Sequence, residues 1–301
     1  MATQAAVSYD PKARFEVRVV EVEYQPGWLM RLYQPQGTGP FPALLDVHGG
    51  AWSGGDRFQN EPADRRLAEM GILVAAPDFR IAPEHPYPAQ VQDTHLATRW
   101  LKAHAAEFNG TAQGLGAVGT SSGAHTLLLS AMKPEDPRYG ALPTLGVRSS
   151  PLRGASGPDA RVAYVILCWG VLDSWARYQY AKPLRDDSAP RRASGNAAHL
   201  ARGTEVYFLT EEAMQEGNPQ MVLERGERVE LPPALIIQGF PDTNIPKAIP
   251  ERFYETYRKA GGSIEIEWFP GAPHGFMREM TPDTERALGV MGAFIARQLG
   301  S

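Results

Sequence analysis

Residues 115–132, LGAVGTSSGAHTLLLSAM, constrain the fold of this chain more than any other stretch. A short apolar run closes on Gly119-Thr120-Ser121-Ser122-Gly123, and a helical pattern starts directly behind it. A strand that turns straight into a helix crowds its backbones two residues before and two residues after the turn. Gly119 and Gly123 stand where a Cβ would clash, and the turn pushes the Ser121 side chain out of the sheet.

The same alternation recurs along the chain. Strand-like runs occupy residues 15–24, 28–35, 42–49, 71–79, 115–120, 161–170, 233–239 and 263–271, most of them closed by Gly, Pro or Asp. The first two alternate in polarity and read as a β-pair. Helical patterns at 63–70, 89–108, 122–132, 251–262 and 285–299 separate the later runs. Strands alternating with helices predict an α/β fold, an eight-stranded, mostly parallel sheet with helices on both faces. Such sheets place ligands at the carboxyl ends of their strands. Two stretches break the pattern, 133–160 and 174–230, the second with a helical piece near 203–214. A long insertion at the catalytic end of a sheet is usually functional. The expectation is one domain over residues 1–301, carrying a cap-like insertion at about 174–230.

Composition removes several classes of function. The formal net charge of the 301 residues is −4, and the densest basic stretch is the Arg191–Arg192 pair, so a nucleic-acid partner is not expected. A single cysteine, Cys168, excludes an intramolecular disulfide and reads as a small buried hydrophobe within VAYVILCWGVL. That run is too short and too glycine-interrupted to span a bilayer, and the first residues lack a signal-peptide pattern. A cytoplasmic protein without a membrane partner is expected. Asp56, His85 and Asp93 lack metal-ligand spacing, and no G-x-G-x-x-G accompanies the glycines near His48, so neither metal nor cofactor is expected.

Three further segments supply chemistry. A serine hydroxyl is a poor nucleophile until it is oriented and paired with a base. His274, on the loop APHGF after the last strand-like run, is the expected base for Ser121. His95 and His104 fall inside a helix, His85 among prolines, His199 in the insertion, and His125 one helical turn past Ser121, beneath the turn. Two carboxylates compete to orient His274: Asp242, after the 233–239 run, and Asp173, after the 161–170 run. HGGAW at His48–Trp52 follows a strand, and its glycines let main chain approach a substrate. The amides of Gly50 and Ala51, with that of Ser122, are the expected oxyanion donors, and Gly49 is the alternative. His48 is expected to hold this loop by side-chain hydrogen bonds, with Asp46 partnering it or nearby backbone. Trp52, Trp169, Tyr178, Tyr207, Phe208 and Phe276 are candidates to line an apolar pocket.

These motifs resemble the α/β-hydrolase fold and, within it, the hormone-sensitive-lipase-like esterases. DFRIAPEHPYPA at Asp78–Ala89 is similar to a segment of those enzymes, whereas HGGAWSGGD at His48–Asp56 is closer to the HGGxW form of kynurenine formamidases and feruloyl-esterase-like proteins. The resemblance covers roughly residues 40–300. It implies Ser121, Asp242 and His274 as a catalytic triad, and so favours Asp242 over Asp173. Two positions depart from the pattern. Ala51 replaces a third glycine but still offers its N–H. Ser122 replaces an alanine, and its hydroxyl is expected either to add a donor or to compete for His274.

The expected function is a serine carboxylesterase acting on short-chain or aryl esters through an acyl-enzyme. A small-molecule ester would be its partner, and a homodimer stays open. An amidase or arylformamidase would use the same residues, and a peptidase is a lesser reading. A small-molecule binding protein on a hydrolase scaffold would be expected to lack one of the three residues, and none is missing.

Overall fold

The computed structural model describes residues 9–144, 158–184 and 197–300. The Arg191–Arg192 pair, residues 145–157 of the loop after the serine helix and residues 185–196 of the expected cap lie outside them.

Eight strands form one sheet: β1 (Val17–Gln25), β2 (Trp28–Pro35), β3 (Phe41–Val47), β4 (Leu73–Pro77), β5 (Gly110–Thr120), β6 (Val165–Cys168), β7 (Ala234–Phe240) and β8 (Ile264–Pro270). Their order across the sheet is β1-β2-β4-β3-β5-β6-β7-β8. β1 pairs with β2, and β2 with β4, antiparallel; every pair from β4–β3 to β7–β8 is parallel. This is the α/β-hydrolase fold.

The side-chain period of two explains how such short strands support two cores. On β3, Ala43, Leu45 and Val47 face one core while Leu44 faces the other. β6 splits Val165 and Leu167 from Ile166 and Cys168, and β7 splits Ala234 and Ile236 from Leu235 and Ile237. The helices α1 (Glu61–Glu69), α2 (Ala89–His104) and α3 (Ser122–Met132) follow β3, β4 and β5. The helices α8 (Ala248–Lys259) and α9 (Pro282–Leu299) follow β7 and β8. Trp100 of α2, Leu128 of α3 and Phe253 of α8 close one face; Leu67 of α1 with Leu288 and Phe294 of α9 close the other.

Several elements differ in extent from those read along the chain, β5 for one starting already at Gly110. The α2 pattern ends at His104, and a single 3-10 turn carries the chain to Asn109, whose left-handed backbone (φ 58°) stops it. β6 keeps only four residues of the ten-residue run, because Trp169 turns out of the ladder at φ 40°. Among its described residues the insertion holds four helices where one helical piece was expected: α4 (Ser174–Leu184), α5 (Ala197–Phe208), α6 (Glu211–Glu216) and α7 (Pro219–Glu224). The break between α5 and α6 falls at Leu209 (φ 65°), and Thr210 then caps α6 by accepting the N–H of Ala213. Asn218 caps α7 in the same way through the N–H groups of Gln220 and Met221. Among the described residues no helix is long and apolar enough to cross a membrane.

Candidate active site

Ser121 sits between β5 and α3 at φ 52°, ψ −118°, a conformation that a non-glycine residue holds only when its surroundings impose it. The surroundings do so with two hydrogen bonds: the Ser121 N–H donates to Cys168 O at 2.9 Å, and Val171 N–H donates to Ser121 O at 3.0 Å. A Cβ on Gly119 would come within 2.7 Å of Ala124 Cα, and one on Gly123 within 2.1 Å of Val47 O. Both flanking glycines are therefore required by backbone contact.

His274 lies on the loop after β8, with Nε2 3.1 Å from Ser121 Oγ and Nδ1 2.8 Å from Asp242 Oδ2. A carboxylate facing Nδ1 requires the proton there, which leaves the Nε2 lone pair to accept the serine O–H. Asp242 is itself held by three donors: Asn244 N–H and Ile245 N–H reach Oδ1 at 2.8 and 3.0 Å, and Gln238 Nε2 reaches Oδ2 at 2.9 Å. Burial alone would raise its pKa. The hydrogen bond and charge of His274, with the two amides, outweigh it, and the carboxyl is held below its ordinary range.

Asp173 is elsewhere. Its carboxylate accepts Ala176 N–H at 2.9 Å and Asn218 Nδ2 at 2.8 Å, with Arg252 at 3.3 Å, so it ties the start of α4 to α7 and α8.

The HGGAW loop crosses in front of the serine. Gly50 (φ 121°) occupies a conformation that excludes a side chain, since a Cβ there would lie 2.0 Å from Gly54 O. The N–H groups of Gly50 and Ala51 donate to no described residue, and both residues border the cavity above Ser121. The Ser122 N–H belongs to the first turn of α3, where helix geometry leaves it without an internal acceptor. Ser122 Oγ accepts the Trp52 N–H at 3.2 Å, and the only partner of His274 Nε2 among the described residues is Ser121 Oγ.

Trp52 anchors the loop. Its Nε1–H donates to His125 Nδ1 at 3.2 Å, and His125 Nε2–H donates to Gly217 O, between α6 and α7, at 2.6 Å. One face of the indole stacks on Tyr207 at 5.0 Å, and the Arg177 guanidinium lies 5.0 Å from the ring centroid. Burial pushes the His125 pKa down to about 3, consistent with a neutral ring bridging donor and acceptor.

His48 bonds Gly49 O through Nδ1 at 2.8 Å and stacks on Phe79; burial lowers its pKa to about 4. Asp46 partners neither His48 nor backbone. Both its oxygens accept Asn60 Nδ2, at 3.1 and 3.0 Å, and the same amide reaches Thr120 Oγ1, one residue before the serine. A strand-end carboxylate beside a buried amide satisfies itself more fully there than at a histidine already bonded to its own loop.

The aromatic lining is also corrected. A cavity of about 470 Å³ opens over Ser121, bounded by Gly50 and Ala51, by His199 and Leu200 of α5, by Thr243 and Asn244, and by Pro273 and Arg278. None of the six candidate aromatics borders it. Trp52, Tyr178, Tyr207 and Phe208 pack with one another under α4 and α5, and Trp169 and Phe276 belong to the core beneath His274. Rings of this size gain more from full burial than from a half-wet wall. Sequence reading missed Gln238, Asn60, His199 and Arg278. The first left a trace, as the polar break in the apolar run of β7; the others carry no motif. No group of three or more His, Cys, Asp or Glu among the described residues is arranged to hold a metal ion.

A hydrogen-bonded Ser–His–Asp chain at the carboxyl edge of this sheet is the arrangement that defines the hydrolases of this fold. The chain belongs to the BD-FAE family, whose model matches residues 30–257. It is similar to the esterase LipC of Mycobacterium tuberculosis, 31% identical over 252 residues, which cover 79% of this chain and 54% of LipC. It is also similar to the carboxylesterase NlhH of that organism, 33% identical over 42% of this chain and 40% of NlhH. The chain thus spans about half the length of these relatives. Among solved structures, esterase B of Lactobacillus rhamnosis superposes with a TM-score of 0.74 at 19% identity, over 97% of this chain and 89% of that one. Esterase 2 of Thermogutta terrifontis, solved with butyrate bound, gives 0.65 at 24% identity, over 94% of each chain.

Proposed function

We propose that this protein is a serine carboxylesterase that forms and hydrolyses an acyl-enzyme on Ser121. The observation that carries this reading is the unbroken 3.1 and 2.8 Å chain from Ser121 through His274 to Asp242, beside two amides with no partner among the described residues. Ser121 Oγ attacks the ester carbonyl as its proton passes to His274 Nε2. The carboxylate of Asp242 stabilises the imidazolium that results. The carbonyl oxygen, now anionic, receives the N–H groups of Gly50, Ala51 and Ser122, with Gly49 as the alternative donor. His274 returns the proton to the leaving alcohol, and a water molecule, activated in turn by His274, releases the acid. The helices α4–α7 act as a cap, with α5 against the HGGAW loop: a Cβ on Gly203 would lie 2.8 Å from Ala51 O. The names of LipC and NlhH, an esterase and a carboxylesterase, support the same reaction class.

The test is hydrolysis of p-nitrophenyl acetate beside an aryl formamide. Ser121→Ala should lower ester turnover by about 10⁴-fold with an unchanged fold, and an organophosphate should label Ser121. Retention of a tenth of the activity by the alanine variant would refute the covalent mechanism. Faster turnover of the formamide than of the ester would move the assignment to the amidase reading.

A further inference from the structure

We infer that Arg278 selects esters whose leaving alcohol carries a carboxylate, an inference that rests on the esterase reading above. Arg278 borders the cavity over Ser121, four residues past His274. Its guanidinium lies across the backbone of the residue after the base: a Cβ on Gly275 would be 3.3 Å from Arg278 Nε and 3.5 Å from Cζ. The side chain is exposed and forms no ion pair and no side-chain hydrogen bond with any described residue. The carboxylate of Asp242 is engaged with His274 and Gln238. Among the described residues no acidic side chain borders the cavity, whereas His199 stands on its rim together with Thr243 and Asn244. An ester with a carboxylate would therefore meet the Arg278 cation and, among the described residues, no like charge.

The chemistry fixes which half of the substrate is read. The carbonyl oxygen must face the Gly50 and Ala51 amides, and the leaving oxygen must meet His274 Nε2 to be protonated. The alcohol half therefore departs along the His274 loop, where Arg278 lies, and the acyl half lies away from it. A guanidinium accepts a carboxylate through two parallel N–H···O bonds, so the preference is for a planar anion a few bonds from the ester oxygen.

The experiment compares two acetates of matched shape, 4-acetoxybutanoate and 4-methylpentyl acetate, in which a carboxylate replaces an isopropyl group. The wild-type enzyme should favour the anionic acetate by about 5-fold in kcat/KM, the size expected of a solvent-accessible ion pair. The ratio should shrink when salt is raised from about 0.05 to 0.5 M, a range over which the Debye length falls severalfold. Arg278→Gln should bring the ratio close to one, and Arg278→Lys should retain part of it. A companion pair, monoethyl succinate and ethyl 4-methylpentanoate, puts the charge on the acyl half and should show no Arg278-dependent preference. Equal ratios in wild type and Arg278→Gln, or a preference confined to the acyl half, would overturn the inference while leaving the esterase reading intact. Failure to turn over either neutral ester or p-nitrophenyl acetate would overturn both.

Discussion

Asp242 and Asp173 follow neighbouring strands, and only the structure separates their work. Asp242→Asn should cut kcat by roughly 10³–10⁴-fold, because an amide facing Nδ1 no longer enforces the tautomer that accepts the serine proton. Asp173→Asn should leave kcat within a few-fold and lower Tm instead, since the Ala176, Asn218 and Arg252 contacts hold α4 to α7 and α8. Steady-state kinetics and thermal melts on the two variants separate them; the reverse ranking would move the orienting acid to β6. Asp46 supplies a prediction of opposite sign. Burial, opposed in part by the Asn60 hydrogen bond, pushes its carboxyl up to about 7, and Asp64, buried and facing the Asp46 charge, is raised as well. A carboxyl with a raised folded-state pKa contributes stability that is complete below the unfolded value near 4 and is lost as pH rises through the folded one. Melting curves should show the wild-type Tm falling between pH 5 and pH 8 by roughly 2–4 °C more than that of Asp46→Asn. Parallel curves would mean that Asp46 is not protonated in the folded protein. Asp242, held low, works the other way and costs stability only as pH falls below the ordinary carboxylate range.

At the scale of elements, the HGGAW loop depends on two segments distant in sequence. Ser122 of α3 holds the Trp52 amide, His125 of the same helix holds the indole N–H, and Gly217 between α6 and α7 holds His125. The loop also carries left-handed backbone at Ala51 (φ 52°) and Trp52 (φ 61°), which such contacts must sustain. Trp52→Phe keeps the stack on Tyr207 but removes the Nε1–H. It should lower kcat for a neutral ester by about 10-fold with little change in KM, because a small displacement of the loop weakens the oxyanion contact in the transition state more than substrate binding. A change confined to KM would place Trp52 in the substrate-binding wall instead. Element legibility followed local signals. α3 begins and ends where its pattern predicts, Ser122–Met132, because a turn and an unbroken apolar run define it. α9 begins three residues earlier than its pattern, at Pro282, where Thr281 accepts the Thr284 N–H. β6 fell short because an apolar run cannot say where its ladder partner stops.

For the whole molecule, the cavity over Ser121 offers, among the described residues, Leu200, Ala51 and Pro273 as apolar walls. A long acyl chain would leave most of its methylenes in water, forgoing about 0.8 kcal/mol for each one not buried. The kcat/KM for p-nitrophenyl butyrate should therefore exceed that for the palmitate ester by at least about 10-fold, measured below micellar concentrations. A higher value for palmitate, or a jump in rate at an oil–water interface, would reveal an acyl channel and refute this.

The order of Ser121, Asp242 and His274, each just after a strand, was written in the sequence, as were the eight strands and the helices between them. Local rules carry that information: side-chain period, glycine at crowded turns, and caps. The rest was decided in three dimensions. No pattern tells an aromatic ring in a pocket from one in a core, so Trp52, Tyr207 and Phe208 looked alike until packing buried all three. Nor does spacing assign partners to Asp46, Ser122 or Arg278. Which polar group meets a carboxylate, an amide or only solvent depends on segments brought together by the sheet. For Arg278 that is the decisive fact: its own neighbours in sequence do not reveal that it stands beside the base with no ion-pair partner among the described residues.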